Sequence, residues 1–146
     1  KEVLSIAAHR VHDTGDGLAT LQRIIHRHEL SAQPNAEQVL EGTEPVQLAP
    51  DFLVIPTPGH TRGHLVLLYQ NRFLFTGDHL WWSRHRNGLS FSTEYCWHSV
   101  SEQKKSLAKL QDYRFSWVLP GHGERKYLPE SRMSAHLQVL IQSHQV

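Results

Sequence analysis

Short apolar runs of strand length, separated by turn residues, dominate the pattern of hydrophobic and polar positions. The first run, EVLSIAA, covers residues 2–8, and RIIH at 23–26 is a second, shorter one. After PVQLAP come FLVIPT, HLVLLYQ, RFLFTGD and FSWVLP. Their nearly continuous hydrophobicity predicts strands covered on both faces. LVLLYQNRFLF predicts a hairpin that turns at Gln70–Asn71.

Helical periodicity occurs mainly in the second half of the chain. Ser99 and Ser101 precede EQKKSLAKLQDY, where Leu107 and Leu110 form an apolar stripe opposite a lysine-rich face. A second helix is predicted over residues 129–142. LATLQ at 18–22 predicts a short helical piece, and NAEQVLEGTEP a polar loop. Strands first, then strand and helix in alternation, predict a layered α/β fold.

Length and composition indicate one globular domain over residues 1–146, which could be a partial domain because the chain lacks an initial Met. No apolar run approaches the ~20 residues that span a bilayer. The 15 basic and 14 acidic residues nearly balance, so neither nucleic acid nor a membrane is an expected partner. The single cysteine, Cys96, suits a reducing compartment and predicts a cytoplasmic protein. Among aromatic neighbours it is interpreted as a buried, inert thiol rather than a nucleophile.

Twelve dispersed histidines are the strongest chemical signal. Three predicted strands end in a metal-competent side chain next to glycine: FLVIPTPGH ends at His60, RFLFTGD at Asp78 and FSWVLPGH at His122. EVLSIAAH, ending at His9, is a fourth candidate. Side chains that follow strands at one sheet edge can converge in space, and rigid strands hold them accurately. Nitrogen and carboxylate donors suit zinc, iron or manganese. The stiff segment PTPGHTRGH is thereby explained as a device that aims His60 at a metal ion.

TPGHTRGH, FTGD and LPGHG, in that order, resemble the later motifs of the metallo-β-lactamase fold superfamily. The resemblance covers roughly residues 50–125. It implies an αββα sandwich with a mono- or dinuclear metal centre at the sheet edges. Most members of that superfamily hydrolyse thioesters, lactams, lactones, phosphoesters or glutathione conjugates, and some are diiron oxidoreductases.

The resemblance also implies a ligand set, in which Asp78 would be the bridging carboxylate. The superfamily's first signature, His-x-His-x-Asp-His, is broken here, since Val11 and Thr14 stand where two histidines belong. The implied metal ligands are His9, Asp13, His60, Asp78 and His122. Five donors suffice for one divalent ion, with zinc preferred over iron or manganese, rather than for two. Asp13 would also be catalytic, because it would orient the attacking water and accept its proton.

Other residues near these motifs keep two interpretations each. His64 would support the loop or a neighbouring ligand rather than bind the metal. Arg62 and the basic segment 84–86 could bind an anionic substrate group or lie on the surface. Trp81 and Trp82 could wall a pocket or close the core. Because adjacent side chains point in different directions, at most one of the two would line a pocket.

These features favour a metal-dependent hydrolase of an unknown small ester, thioester or phosphoester. The alternatives are a degenerate, non-catalytic binding or structural module, and a diiron oxidoreductase relative. Superfamily domains carry an opening β-hairpin layer ahead of the first motif, which here begins at His9. The fold is therefore expected to be truncated or to lack the N-terminal strands. An exposed sheet edge at that point would predict a homodimer.

Overall fold

The computed structural model describes the backbone of residues 6–10 and 20–143, and the side chains of residues 23–143. Eleven strands and two α-helices lie within these ranges. The strands are β1 Ile6–Arg10, β2 Thr20–His26, β3 Gln38–Leu40, β4 Val46–Ala49, β5 Phe52–Pro56, β6 Leu65–Tyr69, β7 Phe73–Gly77, β8 Trp81–Ser83, β9 Gly88–Ser90, β10 Trp117–Pro120 and β11 Lys126–Tyr127. The helices are α1 Val100–Lys109 and α2 Glu130–Gln142.

The strands form a larger sheet, a smaller sheet and a separate hairpin. The six-stranded sheet has the order β11-β10-β7-β6-β5-β4, and the three-stranded sheet has the order β1-β2-β3. Strands β8 and β9 pair as the hairpin. In the larger sheet, β5, β6 and β7 are successively antiparallel and β10 is parallel to β7. Strands β5, β7 and β10 therefore run in the same direction and end at the same sheet edge.

Alternating side chains of the larger sheet belong to two different hydrophobic clusters. On β5 and β6, Ile55 and Val66 pack in a cluster with Leu107 and Met133 of the two helices. Val54 and Leu65 point the other way and pack with Ile24 and Leu40 of the smaller sheet. The period-2 geometry of a strand thus places one face against helices and the other against a second sheet. Among the described residues this gives three layers, in the order sheet, sheet, helices.

Most of the predicted elements are present. The hairpin between β6 and β7 turns at Gln70 and Asn71, whose φ angles of 55° and 48° are the positive values that a tight hairpin turn requires. Helix α1 begins after Ser99, whose side chain accepts a hydrogen bond from the Glu102 backbone N–H. Leu65 to Leu68 are all buried, as expected for a strand covered on both faces.

Two predictions from local pattern were wrong. Residues 20–22, interpreted as part of a short helix, begin strand β2, where pairing with β1 overrides helical propensity. The polar segment around residue 38, interpreted as a loop, contains strand β3. This strand pairs in parallel with β2, and such long-range pairing leaves little local signal.

Candidate functional site

The segment between β5 and β6 is fixed by its own backbone and by close packing. The Thr57 and His64 backbones are joined by an N–H···O bond of 2.9 Å, and the Gly59 N–H donates to the Thr61 carbonyl at 3.0 Å. Gly59 has φ of +148°, and a Cβ there would lie 2.3 Å from the Gln103 Cα of helix α1. A Cβ on Gly63 would lie 2.7 Å from the Glu29 Cγ. Both glycines therefore permit close approach, and together they fix the position of His60.

Asp78 and His122 follow the neighbouring parallel strands β7 and β10. The strand register places Pro120 beside Gly77, and the Gly121 N–H donates to the Gly77 carbonyl at 2.8 Å. A Cβ on Gly121 would come within 3.2 Å of the Asp78 Oδ1, so glycine leaves room for the carboxylate. The two turns are thereby held together by main-chain contacts.

The side chains of His60, Asp78 and His122, which follow strands β5, β7 and β10, lie close together. The His122 Nδ1 lies 2.7 Å from the Asp78 Oδ1, and the His60 Nε2 lies 3.7 Å from the Asp78 Oδ2. The exposed side-chain fraction is 8% for His60, 25% for Asp78 and 67% for His122. Asp78 therefore lies between a buried imidazole and an exposed one.

The nitrogen and carboxylate donors are of the type that binds a divalent cation, and their separations are close to those of zinc ligands. Two tetrahedral zinc ligands at 2.0–2.1 Å from the ion are roughly 3.3 Å apart. The separations of 2.7 and 3.7 Å lie on either side of that value. However, within residues 23–143 no three His, Cys, Asp or Glu side chains are already arranged to hold a metal ion. The group is thus a partial site that would need small side-chain adjustments and further donors.

The other two predicted ligands cannot be placed. His9 belongs to strand β1, paired opposite Leu21, but its side chain is outside the described residues. Asp13 lies outside them altogether. Their roles as ligands, and that of Asp13 as a proton acceptor, stay predictions.

A cavity of about 370 Å³, which we call the polar cavity because histidines and carboxylates predominate among its lining residues, ends at the three donors. His26 and Glu29 line it together with His60, Asp78 and His122. The Glu29 Oε1 accepts a hydrogen bond of 2.7 Å from the Gly63 N–H, which fixes this carboxylate against the His60 segment. Burial lowers the pKa of His60, while the negative charges of Asp78 and Glu29 act in the opposite direction.

A second cavity, which we call the aromatic groove, opens from the same three donors. Its volume is about 510 Å³, and it is lined further by Trp81, Ser92, Tyr95, Trp97 and Gly123. A Cβ on Gly123 would lie 2.8 Å from the Trp81 ring, so this glycine allows the indole to pack against the backbone. The donors therefore lie where a polar cavity and a largely apolar one meet.

Two further histidines are buried behind the donors. The His64 and His79 rings stack with centroids 5.3 Å apart, and the His64 ring meets that of His60 edge-on at 5.8 Å. Thr57 Oγ1 lies 2.9 Å from His64 Nδ1, which is consistent with a supporting role for His64. Burial lowers the pKa of His79 to about 3 and that of His64 well below its ordinary value. Both rings are therefore neutral at pH 7 and add no charge behind the site.

The structure gives positions for the tryptophan and arginine residues that had two interpretations from the sequence. Trp81 lines the aromatic groove whereas Trp82 is only 5% exposed in the core, so one of the pair lines a pocket, as expected. Arg84 donates from Nε to the Glu124 carboxylate at 2.7 Å and is largely exposed, which favours the surface interpretation. Arg62 lies outside the lining of both cavities at Asp78. Cys96 is half-buried, and its Sγ donates to the Gly59 carbonyl at 3.0 Å.

Sequence reasoning missed several residues of the site. His26 ends strand β2 and Glu29 follows three residues later, but neither stands next to a glycine, so the rule that identified His60 and Asp78 did not select them. His79 and Gln103 are fully buried polar residues, and burial of this kind depends on packing rather than on a local pattern. Tyr95 and Trp97 lie in a segment without regular structure, where hydrophobic periodicity gives no signal.

Comparison with known proteins gives structural rather than sequence likeness. No protein-family model matches the sequence, and no curated protein is significantly similar to it in sequence. Among solved structures, the B3 metallo-β-lactamase BLEG-1 matches with a TM-score of 0.56 and 20% identity over 80% of this chain. VMB-1 matches with a TM-score of 0.56 and 21% identity over 84% of this chain. TTHA1623, in a di-iron-bound form, matches with a TM-score of 0.53 and 22% identity over 78% of this chain.

The match covers only part of each neighbour. The chain spans 64% of the BLEG-1 chain, 57% of VMB-1 and 62% of TTHA1623. At these identities the likeness is one of fold, and it confirms the fold that the resemblance implied. The described layers correspond to part of that αββα sandwich.

Proposed function

We propose, starting from the metallo-β-lactamase fold of this chain, that it acts as a metal-dependent hydrolase of a small ester, thioester or phosphoester. The observation that supports this most is the position of Asp78 between His60 and His122, where two cavities meet. A carboxylate between two imidazoles is a donor set suited to a zinc, iron or manganese ion. A location at the junction of two cavities allows a substrate to reach the donors from solvent.

His60, Asp78 and His122 would hold one divalent ion, zinc in preference to iron or manganese, with His9 and Asp13 completing the set. When bound, such an ion supplies a water of lowered pKa and polarises the substrate oxygen. The chain's own residues supply position and proton transfer. The Gly59 and Gly63 contacts fix His60, and the paired turns after β7 and β10 fix Asp78 against His122.

The reaction would be a hydrolysis in which Asp13 accepts one proton of the attacking water. The water oxygen would bond to the carbonyl carbon or phosphorus, and the bond to the leaving oxygen or sulfur would break. The proton held on the Asp13 carboxylate would then pass to that leaving atom. The aromatic groove would shield the reacting atoms from bulk water on its side.

A second candidate is a degenerate module that keeps the fold without catalysis. The broken first motif supports it. A diiron relative is a third, supported by the di-iron-bound form of TTHA1623.

The cytoplasmic location stays a prediction from the single cysteine. No helix among the described residues has the length and apolar character needed to cross a bilayer.

Metal analysis combined with one substitution tests the proposal. Purified, untreated protein should carry about one equivalent of zinc, iron or manganese per chain. Asp78→Ala should lose it, because the donor shared by both histidines is gone, and hydrolysis of ester, thioester and phosphoester probes should fall at least ~10²-fold. Asp112→Ala, which alters a carboxylate in a different turn, is the matched control and should keep both properties. Metal-free, folded wild-type protein that hydrolyses none of the probes would favour the module instead.

A further inference from the structure

The aromatic groove differs from the polar cavity in that it offers apolar faces and no charge of its own. Apart from the three donors, its lining consists of Trp81, Ser92, Tyr95, Trp97 and Gly123. Its volume of about 510 Å³ falls within the range of small-molecule sites. A neutral, flat group matches this lining better than a charged one, because a charged group would lose hydration without gaining a partner.

Two aromatic side chains of the groove are unusually exposed. Trp97 is 63% exposed and Tyr95 58%, although burying such side chains is strongly favourable. They are not on a loose segment. The Trp97 N–H donates to the His60 carbonyl at 2.8 Å, and the Ser99 N–H donates to the Gly59 carbonyl at 3.0 Å. The two backbones on which Trp97 and His60 stand are thus bonded directly to each other.

This connection fixes the distance between the aromatic walls and the donors. The Trp81 indole packs against Gly123, the residue that follows His122, and so forms a rigid floor. Trp97 is bonded through its backbone to His60, Trp81 packs against the residue after His122, and Tyr95 lines the same groove. The three aromatic side chains therefore form a preorganised recess at the donors. A group seated in it would place its attached bond beside Asp78.

We infer that the aromatic groove binds a flat, uncharged aromatic or similarly apolar group of the substrate, and that Tyr95, Trp97 and Trp81 determine this specificity. The inference rests on the proposed function, because it identifies the substrate class of that same site. The substrate would be a small ester or thioester in which one side of the scissile bond carries a planar apolar group. The polar cavity lined by His26 and Glu29 would take the other side.

Binding can be measured without catalysis by using 2-naphthol as the probe and glycerol as the polar control. In ¹H–¹⁵N spectra of the folded 146-residue chain, 2-naphthol should shift the indole N–H signals of Trp81 and Trp97 saturably. The signals of Trp82 and Trp117, which lie outside the groove lining, should stay in place. Glycerol should shift none of the four. Saturable shifts confined to Trp82 and Trp117, or none at all, would overturn the inference.

Substitutions make the test quantitative. Trp97→Ala should weaken 2-naphthol binding about tenfold, the effect of one lost aromatic contact, and Trp97→Phe should restore most of it. Tyr127, 49% exposed on β11 outside the groove, provides the matched control: Tyr127→Ala should bind like wild type. Equal losses in the Trp97 and Tyr127 variants would contradict a groove-specific effect.

Hydrolysis then separates this inference from the proposed function. The ratio of kcat/KM for 2-naphthyl acetate to that for methyl acetate should be high in wild type and about tenfold lower in Trp97→Ala. Binding of 2-naphthol without hydrolysis of any ester, thioester or phosphoester probe would refute the hydrolase but support the groove. Hydrolysis of methyl acetate without 2-naphthol binding would support the hydrolase and overturn the inference about the groove. A wild-type dimer that Trp97→Ala converts to monomer, with no 2-naphthol binding, would assign the groove to a second copy of the chain and overturn the inference.

Discussion

His64 and His79 stack behind the donor residues with their ring centroids 5.3 Å apart. His64 Nε2 and both ring nitrogens of His79 have no hydrogen-bond partner among the described residues. A buried polar atom without a partner is costly, so two such rings must be neutral to be tolerated. They fill the space beneath the His60 segment with side chains that burial keeps unprotonated at neutral pH.

A pH dependence of stability follows from these two rings. Burial, the main cause, lowers the pKa of His79 to about 3, and it lowers that of His64 well below 6.5. At a pH between the folded-state pKa of a ring and its unfolded-state pKa of 6.5, the unfolded chain binds a proton there that the folded chain does not. Stability is therefore fully present above pH 6.5 and is lost as pH falls from 6.5 towards 3.

The substitution His79→Leu removes one of these titrating groups and leaves an apolar side chain in its place. Urea unfolding between pH 7.5 and 5, with a chelator present throughout, would measure the slope of the free energy of unfolding. The variant's slope should be shallower by up to about 1.4 kcal/mol per pH unit. A slope equal to that of wild type would show that the pKa of His79 is the same in the folded and unfolded states.

At the scale of elements, the segment between β5 and β6 is positioned by helix α1. Gly59 touches the backbone of Gln103, and the Ser106 hydroxyl donates to the Pro58 carbonyl at 2.7 Å. The helix begins after the Ser99 cap, two residues beyond Trp97, whose backbone N–H donates to the His60 carbonyl. The position of His60 thus depends on a helix that starts some forty residues later.

Substituting two glycines tests this packing. Gly59→Ala would place a Cβ 2.3 Å from the Gln103 Cα, a backbone atom that cannot move away, and should cost about 3 kcal/mol or more. Gly42 also has a positive φ, +80°, but a Cβ there meets nothing within 4 Å, so Gly42→Ala should cost only about 1 kcal/mol. Chemical denaturation of both variants measures the difference. Equal losses would mean that backbone strain, and not contact with α1, explains the glycine.

The elements that could be predicted are those with strong local signals. Continuous apolar runs predicted β5, β6 and β7, and the stripe of Leu107 and Leu110 predicted α1. Residues 20–22 and strand β3 were misjudged because their structure comes from pairing with strands distant in sequence. The β8–β9 hairpin escaped prediction for a related reason: its residues WWS and GLS are too short for any period to be visible.

For the whole molecule, strand direction determines the site. Strands β5, β7 and β10 run the same way and end at one edge, so His60, Asp78 and His122 meet although they span more than sixty positions. This convergence was predicted from the sequence, because each donor follows a strand next to a glycine. Glu29, Tyr95 and Trp97 were not predicted, because their place at the site depends on how the smaller sheet and an irregular segment pack.

Anomalous diffraction from zinc-soaked crystals, recorded on both sides of the zinc absorption edge, tests the shared metal position most directly. We predict a zinc peak bound by His60, Asp78 and His122, at about 2.0–2.2 Å from one donor atom of each. Asp78→Ala crystals treated identically should lack it. Wild-type crystals with no peak at this edge, or with zinc bound only at other histidines, would contradict a metal centre built on these three residues.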